Sequence, residues 1–399
     1  METLVNGASK FVPIIISMMV SLFCASWIYP YILKVAKTKG IVDNPDARKL
    51  QRVPIPVMGG MVVVFGIITG LMGLKLFCGL DDMFPIITSI VVILIVGLID
   101  DMISMSPRAR FIVEIVLVLF LIYTTGNQLN NFHGLWGLYS VPDYISVPLT
   151  VVACVGIINA INLIDGVDGY SSGYSIVSCV LFGTLSYMLG DISMVAMAAV
   201  VAISLVPFFM HNVFGKFSKM FIGDAGTLSL GIVFSVFVIN ILSTKAVDES
   251  SNLGLVAFTM AVLCVPVFDT VRVMVSRIVR RKSPFHPDKT HLHHLFIELG
   301  FSHIGTTMSI ITMNLLVVLC WFCAYKCGLS VDLQFYIVIA LGILITFVFY
   351  AFIKAQIRKE TALCRVLRSI GAKTHFKRTG FWSFLQKMSD KVSREESIE

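Results

Sequence analysis

The sequence predicts an all-α integral membrane protein, and three observations carry that expectation. Only 14% of the 399 residues are charged and 57% are hydrophobic, whereas a soluble domain carries about 25% charged residues. Apolar runs of about 17–25 residues, the length that crosses a bilayer, recur along the chain. Lys and Arg are segregated into alternate connections between those runs, as expected when basic loops stay on one side of a membrane.

About eleven spans follow from the apolar runs, at roughly 12–36, 57–78, 84–99, 109–125, 144–164, 170–189, 192–212, 225–243, 253–279, 304–326 and 333–353. Phe11 to Ala36 is too long for the apolar core of a signal peptide and reads as the first span. Alternate connections hold 27 of the 31 Lys and Arg, six of them counted between Arg272 and Lys289. That side should be the cytoplasm, with the N-terminus outside and the C-terminus inside. The net charge of +7 then reports topology and attraction to anionic lipid, and requires no nucleic acid. Residues 1–353 read as a polytopic transmembrane domain with cytoplasmic loops at 37–56, 100–110, 165–169, 213–224 and 280–303, and residues 354–399 as a basic cytoplasmic tail. Within the tail, Gly380-Phe-Trp-Ser-Phe-Leu suits an amphipathic surface helix, and the Ser- and Glu-rich ending suits disorder. Of the nine cysteines only Cys320, Cys323 and Cys327 cluster. Without a second cluster they support neither a zinc site nor disulfides.

The chemistry concentrates where the fifth run meets water, in Asn159-Ala-Ile-Asn162-Leu-Ile-Asp165-Gly-Val-Asp168-Gly. Two amides and two carboxylates follow at three-residue steps, which on a helix makes a polar stripe climbing out of an apolar one. A carboxylate near hydrocarbon is costly and needs protein or a cation as partner. The competing reading is a capped helix end with a glycine stop.

The other polar clusters fall on the same predicted face. Arg48 and Lys49 lie in the first cytoplasmic loop, where topology alone would put basic residues. Asp100 and Asp101 end the third run, with Arg108 and Arg110 close behind; adjacent carboxylates repel and favour a cation, a proton or a phosphate-bound metal. Phe221-Ile-Gly223-Asp224-Ala-Gly226 opens the eighth run. Asp224 there is either a helix N-cap or a ligand in a loop whose glycines let a substrate approach the backbone. Ser283-Pro-Phe-His286-Pro-Asp288-Lys289-Thr-His291-Leu-His293-His294 lacks a standard zinc spacing; with the neighbouring Arg and Lys it reads as an anion-binding flap. Carboxylates and amides for a divalent cation, beside cations for phosphates, make up the apparatus of phosphoryl transfer. Hard oxygen donors favour Mg²⁺, which binds through few protein groups plus substrate phosphates.

In this order and spacing, Asp100-Asp101, Asn159 to Gly169, Phe221 to Gly226 and His291-Leu-His293-His294 resemble the polyprenyl-phosphate N-acetylhexosamine-1-phosphate transferases, the MraY/WecA/TagO group. The resemblance implies that undecaprenyl phosphate attacks the phosphorus bearing the sugar of a UDP-N-acetylhexosamine, releasing UMP and leaving a lipid-diphosphate-sugar. It implies that Asn162 and Asp224 bind Mg²⁺, with Mn²⁺ as a substitute. Asp100 and Asp101 handle the lipid phosphate, and Asp165 and His291 join them in catalysis. Asn159, Asp168, Arg48, Lys49, Arg110, Asp288, Lys289, His293 and His294 bind substrate. Arg110 stands where the family usually has Lys, and Gln51 where many relatives have His.

The His-Leu-His-His loop, its Arg and Lys content and an eleventh span resemble the WecA/TagO branch, which implies GlcNAc-1-phosphate transfer. The alternatives are the phospho-MurNAc-pentapeptide transferase of the MraY branch and, from another class, a secondary transporter. A transporter would keep its polar groups near the midplane on broken helices. The implied location is the bacterial inner membrane with the active site facing the cytoplasm. The polysaccharide fed (O-antigen, teichoic acid or capsule) and the oligomeric state, homodimer included, stay open.

Overall fold

In the computed structural model the chain is helical almost throughout, and the residues described are 2–45, 53–78, 83–243, 251–284, 289–375 and 379–394. Arg48, Lys49, Gln51, His286 and Asp288 lie outside them. The helices are α1 (Glu2–Lys39), α2 (Gly59–Cys78), α3 (Met83–Ile103), α4 (Pro107–Thr125), α5 (Asp143–Leu163), α6 (Tyr170–Met188), α7 (Ile192–Phe214) and α8 (Gly223–Ser243). They continue as α9 (Leu255–Val262), α10 (Cys264–Val279), α11 (Leu292–Glu298), α12 (His303–Lys326), α13 (Val331–Ile343), α14 (Tyr350–Arg358), α15 (Ala362–Lys373) and α16 (Phe381–Arg394). A π-helical turn, Leu344–Phe349, joins α13 to α14. A short antiparallel pair, β1 (Val42–Asp43) with β2 (Ile55–Pro56), precedes α2.

Every expected span is helical. Among the described residues eight helices are long and apolar enough to cross a membrane, or nine spans if the bent pair α9–α10 counts as one. The expectation of about eleven exceeds this because α4 and α6 fall short. Arg108, Arg110 and Glu114 dilute α4, and α6 is rich in serine. The tail is helical in α15 and α16, as an amphipathic segment there would be.

Local chemistry sets the helix boundaries. Ser106, Asp191, Ser302, Ser330 and Thr361 each accept a backbone N–H three residues on, closing the N-termini of α4, α7, α12, α13 and α15. The break between α9 and α10 bends the chain by 72°. Pro266 explains it: the ring has no N–H to give and crowds the carbonyl four residues back. Asn314 seals the groups exposed there. Its carbonyl accepts Val265 N–H at 3.0 Å, and its amide donates to the carbonyls of Ala261 and Val262. The Tyr174 hydroxyl also donates to Val262 O, at 2.6 Å. Backbone can break inside an apolar helix only with such substitutes.

The chain divides into two compact units. The first comprises Met1–Gly126, Ser175–Val233 and Lys377–Glu399; the second comprises Asn127–Tyr174 and Phe234–Phe376.

In the first unit α2 packs through small residues. A side chain on Gly66 would meet Ala25 and Ser204, and one on Gly70 would meet Val200 and Ser21, so α1, α2 and α7 come close, as helices in lipid do. The start of α2 is stitched to the start of α8. Gly59 and Gly60 donate to the carbonyls of Phe221 and Ile222 at 2.8 and 2.7 Å, and Phe221 N donates to Pro56 O at 2.8 Å. A Cβ on Gly60 would stand 2.2 Å from Gly226 N, a contact only backbone movement could relieve. Gly60→Ala is therefore expected to lower the thermal midpoint in detergent, at a cost of about 1–3 kcal/mol. An unchanged midpoint would count against the stitch.

The core of the second unit is built around the α9–α10 break and α5, α12 and α13. The hydroxyl of Ser235, in the second half of α8, donates to Cys154 O of α5 at 3.4 Å. α8 is buried on nearly all sides, 94% over its apolar window, which accounts for a helix apolar all round.

Candidate functional site

The first unit gathers four of the expected residues. Asp100 and Asp101 lie in the last turn of α3, and because neighbours on a helix point about 100° apart they take different partners. Asp100 accepts Met105 N–H at 2.7 Å and pairs with Arg110 Nη1 at 3.1 Å. Asp101 accepts the N–H groups of Asp224 and Ala225 at 2.8 and 3.1 Å. A carboxylate from α3 thus closes the N-terminus of α8, where donors are otherwise unmet and negative charge is stabilised. The close approach requires glycine: Gly223 has φ +68°, and a Cβ there would touch Asp101. Gly97 likewise abuts the backbone of Ala225.

The competing reading of Asp224 as the N-cap of its own helix fails on this geometry, since Asp101 does that work. The Asp224 side chain keeps 35% of its surface exposed, with Oδ2 3.9 Å from Arg110 Nη1. Arg110 Nε lies 3.5 Å from Oε1 of the buried Glu114, one helical turn on. One guanidinium therefore faces three carboxylates, Asp100, Glu114 and Asp224. The excess of negative charge and the all-oxygen donor set suit a hard divalent cation. Among the described residues no three His, Cys, Asp or Glu side chains are close enough to form a metal cage of their own.

The second unit holds Asn159, Asn162, Asp165, Asp168, Lys289, His291, His293 and His294. α5 ends at Leu163, so Asn159 and Asn162 lie on the helix while Asp165 and Asp168 lie in the turn beyond it. The continuous helical stripe expected over all four is corrected accordingly: the helix ends at Leu163, before either carboxylate, and Gly169 (φ +75°) closes the turn after Asp168. Asn159 is buried and donates to Val155 O at 2.9 Å. Asp165 accepts the Ser171 hydroxyl at 2.7 Å. Asp168 meets His303 Nδ1 at 2.7 Å, and its carbonyl accepts Thr307 Oγ1 at 3.1 Å. His293 stands directly over the turn: a Cβ on Gly166 would come within 2.1 Å of its Nε2.

His291 and His293 are more enclosed than residues of an open loop. His291 and His293 are buried, with rings parallel to within 4° and centroids 5.8 Å apart, and His294 lies 4.3 Å from His293. Burial, then the neighbouring His294 and His291, hold the His293 imidazole well below its ordinary range, so it is uncharged at neutral pH. Lys289 is exposed.

Asp269 organises this cluster. One of its oxygens accepts from Arg272 Nε and Nη2 at 3.2 and 2.6 Å; the other meets His291 Nδ1 at 2.9 Å and accepts Leu292 N–H at 3.1 Å. Arg272 Nη2 also donates to Thr290 O at 2.5 Å, and the guanidinium stacks on Tyr350 at 3.7 Å. His291 Nε2 is buried with no hydrogen-bond partner among the described residues. Arg272 and Arg277, counted above as loop residues, are buried inside α10; Arg277 is spent on Pro284 O at 2.5 Å.

Sequence reasoning missed Asp269, Arg272, Glu114 and His303. A signal existed for the first two: ionisable residues three apart inside the apolar run 253–279 must pair or serve a function.

Residues 83–242 match glycosyl transferase family 4. The chain is 32% identical over 267 residues to the undecaprenyl-phosphate alpha-N-acetylglucosaminyl 1-phosphate transferase of Haemophilus influenzae, covering 66% of this chain and 73% of the relative. It is 28% identical over 315 residues to the probable undecaprenyl-phosphate N-acetylglucosaminyl 1-phosphate transferase of Bacillus subtilis, covering 77% and 83%. It is 27% identical over 276 residues to the undecaprenyl-phosphate alpha-N-acetylglucosaminyl 1-phosphate transferase of Escherichia coli K12, covering 67% and 72%.

Proposed function

Because the chain belongs to glycosyl transferase family 4, in the WecA/TagO-like part of the MraY/WecA/TagO group, we propose that it transfers GlcNAc-1-phosphate from UDP-GlcNAc to undecaprenyl phosphate. An oxygen of the lipid phosphate attacks the phosphorus that carries the sugar. The bond from that phosphorus to the bridging oxygen breaks, and UMP leaves with the electron pair. The product is undecaprenyl-diphosphate-GlcNAc, the starter lipid for a surface polysaccharide. The reaction takes place at the cytoplasmic face of the inner membrane, where the positive-inside bias of the loops puts the basic connections.

The observation that carries the reading is the division of labour among the acids of α3 and α8. Asp101 is used up in closing α8, which leaves Asp224 at the end of an apolar helix, partly exposed and facing a cation. Asp224 offers an oxygen suited to Mg²⁺, and the family resemblance assigns Asn162 the same role. When bound, Mg²⁺ neutralises charge on the diphosphate as the bond breaks. Arg110 holds Asp100 in place and offers a planar fork to phosphate. Of the two adjacent carboxylates, Asp100 serves the acceptor phosphate, since Asp101 is committed to the helix. His291, oriented through Nδ1 by Asp269, presents Nε2 to the donor sugar phosphate, and Asp165 and Asp168 line the turn that receives the nucleotide sugar. Arg48, Lys49 and Asp288, expected to bind substrate, lie outside the described residues.

Incubating the purified protein with undecaprenyl phosphate, Mg²⁺ and either UDP-GlcNAc or UDP-MurNAc-pentapeptide tests the proposal. Lipid-linked GlcNAc with the first donor and no product with the second is the expected result. The reverse pattern would assign the chain to cell-wall precursor synthesis.

A further inference from the structure

Beyond the family's matched region lies α16, which packs on the last turns of α7. Ser389 Oγ donates to Met210 O at 3.4 Å, and the Trp382 ring lies 5.2 Å from that of Phe214, the final residue of the α7 span. α16 therefore sits at the depth where an apolar span ends. Its two sides differ sharply. Toward α7 it turns Trp382, Ser389 and Asp390. Away from α7 it exposes Phe381, Phe384 and Met388 by 69, 60 and 50%, at i, i+3 and i+7, flanked by the exposed Lys387 and Lys391. An aromatic stripe edged by lysines is the composition of a helix lying in the headgroup layer, where rings enter the acyl boundary and ammonium groups meet anionic lipid.

The inner side grips a loop. Asp390 Oδ1 accepts the consecutive N–H groups of Lys216, Phe217 and Ser218 at 2.9, 2.9 and 3.1 Å, together with the Ser218 hydroxyl at 3.1 Å. Three successive N–H groups form an anion-binding nest, here filled by the tail. Burial pushes the Asp390 carboxyl up, but these donors outweigh it and hold the group below its ordinary range. The same loop is gripped elsewhere, with the Tyr29 hydroxyl donating to Ser218 O at 2.8 Å and Asn212 Nδ2 to Met220 O at 2.9 Å. It runs directly into Gly223 and Asp224.

We propose that α16 is an interfacial brace: Phe381, Phe384 and Met388 lie in the surface of the bilayer that α7 spans, and Asp390 fastens the α7–α8 loop that delivers Asp224. Asp390 is thus a positioning residue for the transferase reaction, and that half of the inference rests on the function proposed above.

Benzoylphenylalanine introduced at Phe384, with the full-length protein in vesicles containing phosphatidylglycerol, tests the outer side. Light should give lipid adducts, as the same probe should at the span residue Leu316, itself 53% exposed. A covalent dimer, or no lipid adduct at 384 while 316 gives one, would overturn the docking. Hydrogen exchange tests the inner side. In Asp390→Ala the amides of 216–218 should exchange faster and kcat should fall about tenfold, since small misplacements of reacting groups are costly. Asp390→Asn, which keeps an accepting oxygen, should restore most of both. Wild-type exchange in Asp390→Ala would overturn the brace, and faster exchange with unchanged kcat would overturn the positioning role. If the unmodified protein transfers no GlcNAc-1-phosphate, the catalytic reading fails, while the lipid adducts and exchange rates still decide the brace.

Discussion

Asp224→Asn is expected to lower kcat by about 100-fold or more, a loss of about 2.7 kcal/mol of transition-state stabilisation, while leaving stability within about 0.5 kcal/mol of the parent. The two effects separate because of how the acids are deployed. The amide keeps the shape of the side chain and removes the charge that faces Arg110 and suits a divalent cation. The helix end does not suffer, because the carboxylate closing it belongs to Asp101. Asp101→Ala should behave differently and lose both activity and about 1 kcal/mol or more of stability, since it leaves two N–H groups at the start of α8 unmet. Initial rates and detergent-phase thermal denaturation of both variants check the pair. If Asp224→Asn unfolds as readily as Asp101→Ala, Asp224 is a structural group.

The second large effect concerns stability. Asp269→Ala removes the counter-charge of Arg272, which is 6% exposed. It also removes the acceptor of Leu292 N–H and the partner of His291. Breaking a buried ion pair from one side typically costs about 3–5 kcal/mol, because the other charge remains buried without compensation. Arg272→Met added to Asp269→Ala should therefore recover part of the loss, with a coupling energy well outside additivity. Unfolding midpoints of the two single variants and the double variant measure it. A double variant less stable than Asp269→Ala would show that Arg272 is held by Tyr350 and Thr290 O rather than by Asp269.

How much of this was legible in the sequence depends on how far each argument had to reach. The membrane class was legible because bilayer thickness sets a length that composition alone can match. Asp100, Asp101, Arg110 and Asp224 were legible as a group because like charges adjacent in sequence, or ionisable residues at the ends of apolar runs, have few bland explanations. Their division of labour was not, since the partner of Asp101 comes from more than a hundred residues away and depends on Gly97 and Gly223 allowing close approach. Asp269 and Arg272 were hidden by the apolar run that surrounds them, and Arg272 passed for a loop residue. The histidine run announced itself, but its burial could not be read from residue type. The stripe from Asn159 to Asp168 was half right: spacing by threes marks a helical face only as far as the helix continues, and α5 ends at Leu163, before either carboxylate.

The most direct test of the phospho-sugar transfer follows the phosphorus. UDP-GlcNAc carrying ³²P on the phosphate attached to the sugar is incubated with the protein, undecaprenyl phosphate and Mg²⁺, and the lipid and water phases are separated. The account predicts label in the lipid phase with an equal amount of unlabelled UMP in the water phase. Label left in the water phase as UDP, with GlcNAc on the lipid, would mean that the sugar moves without its phosphate and would contradict the account.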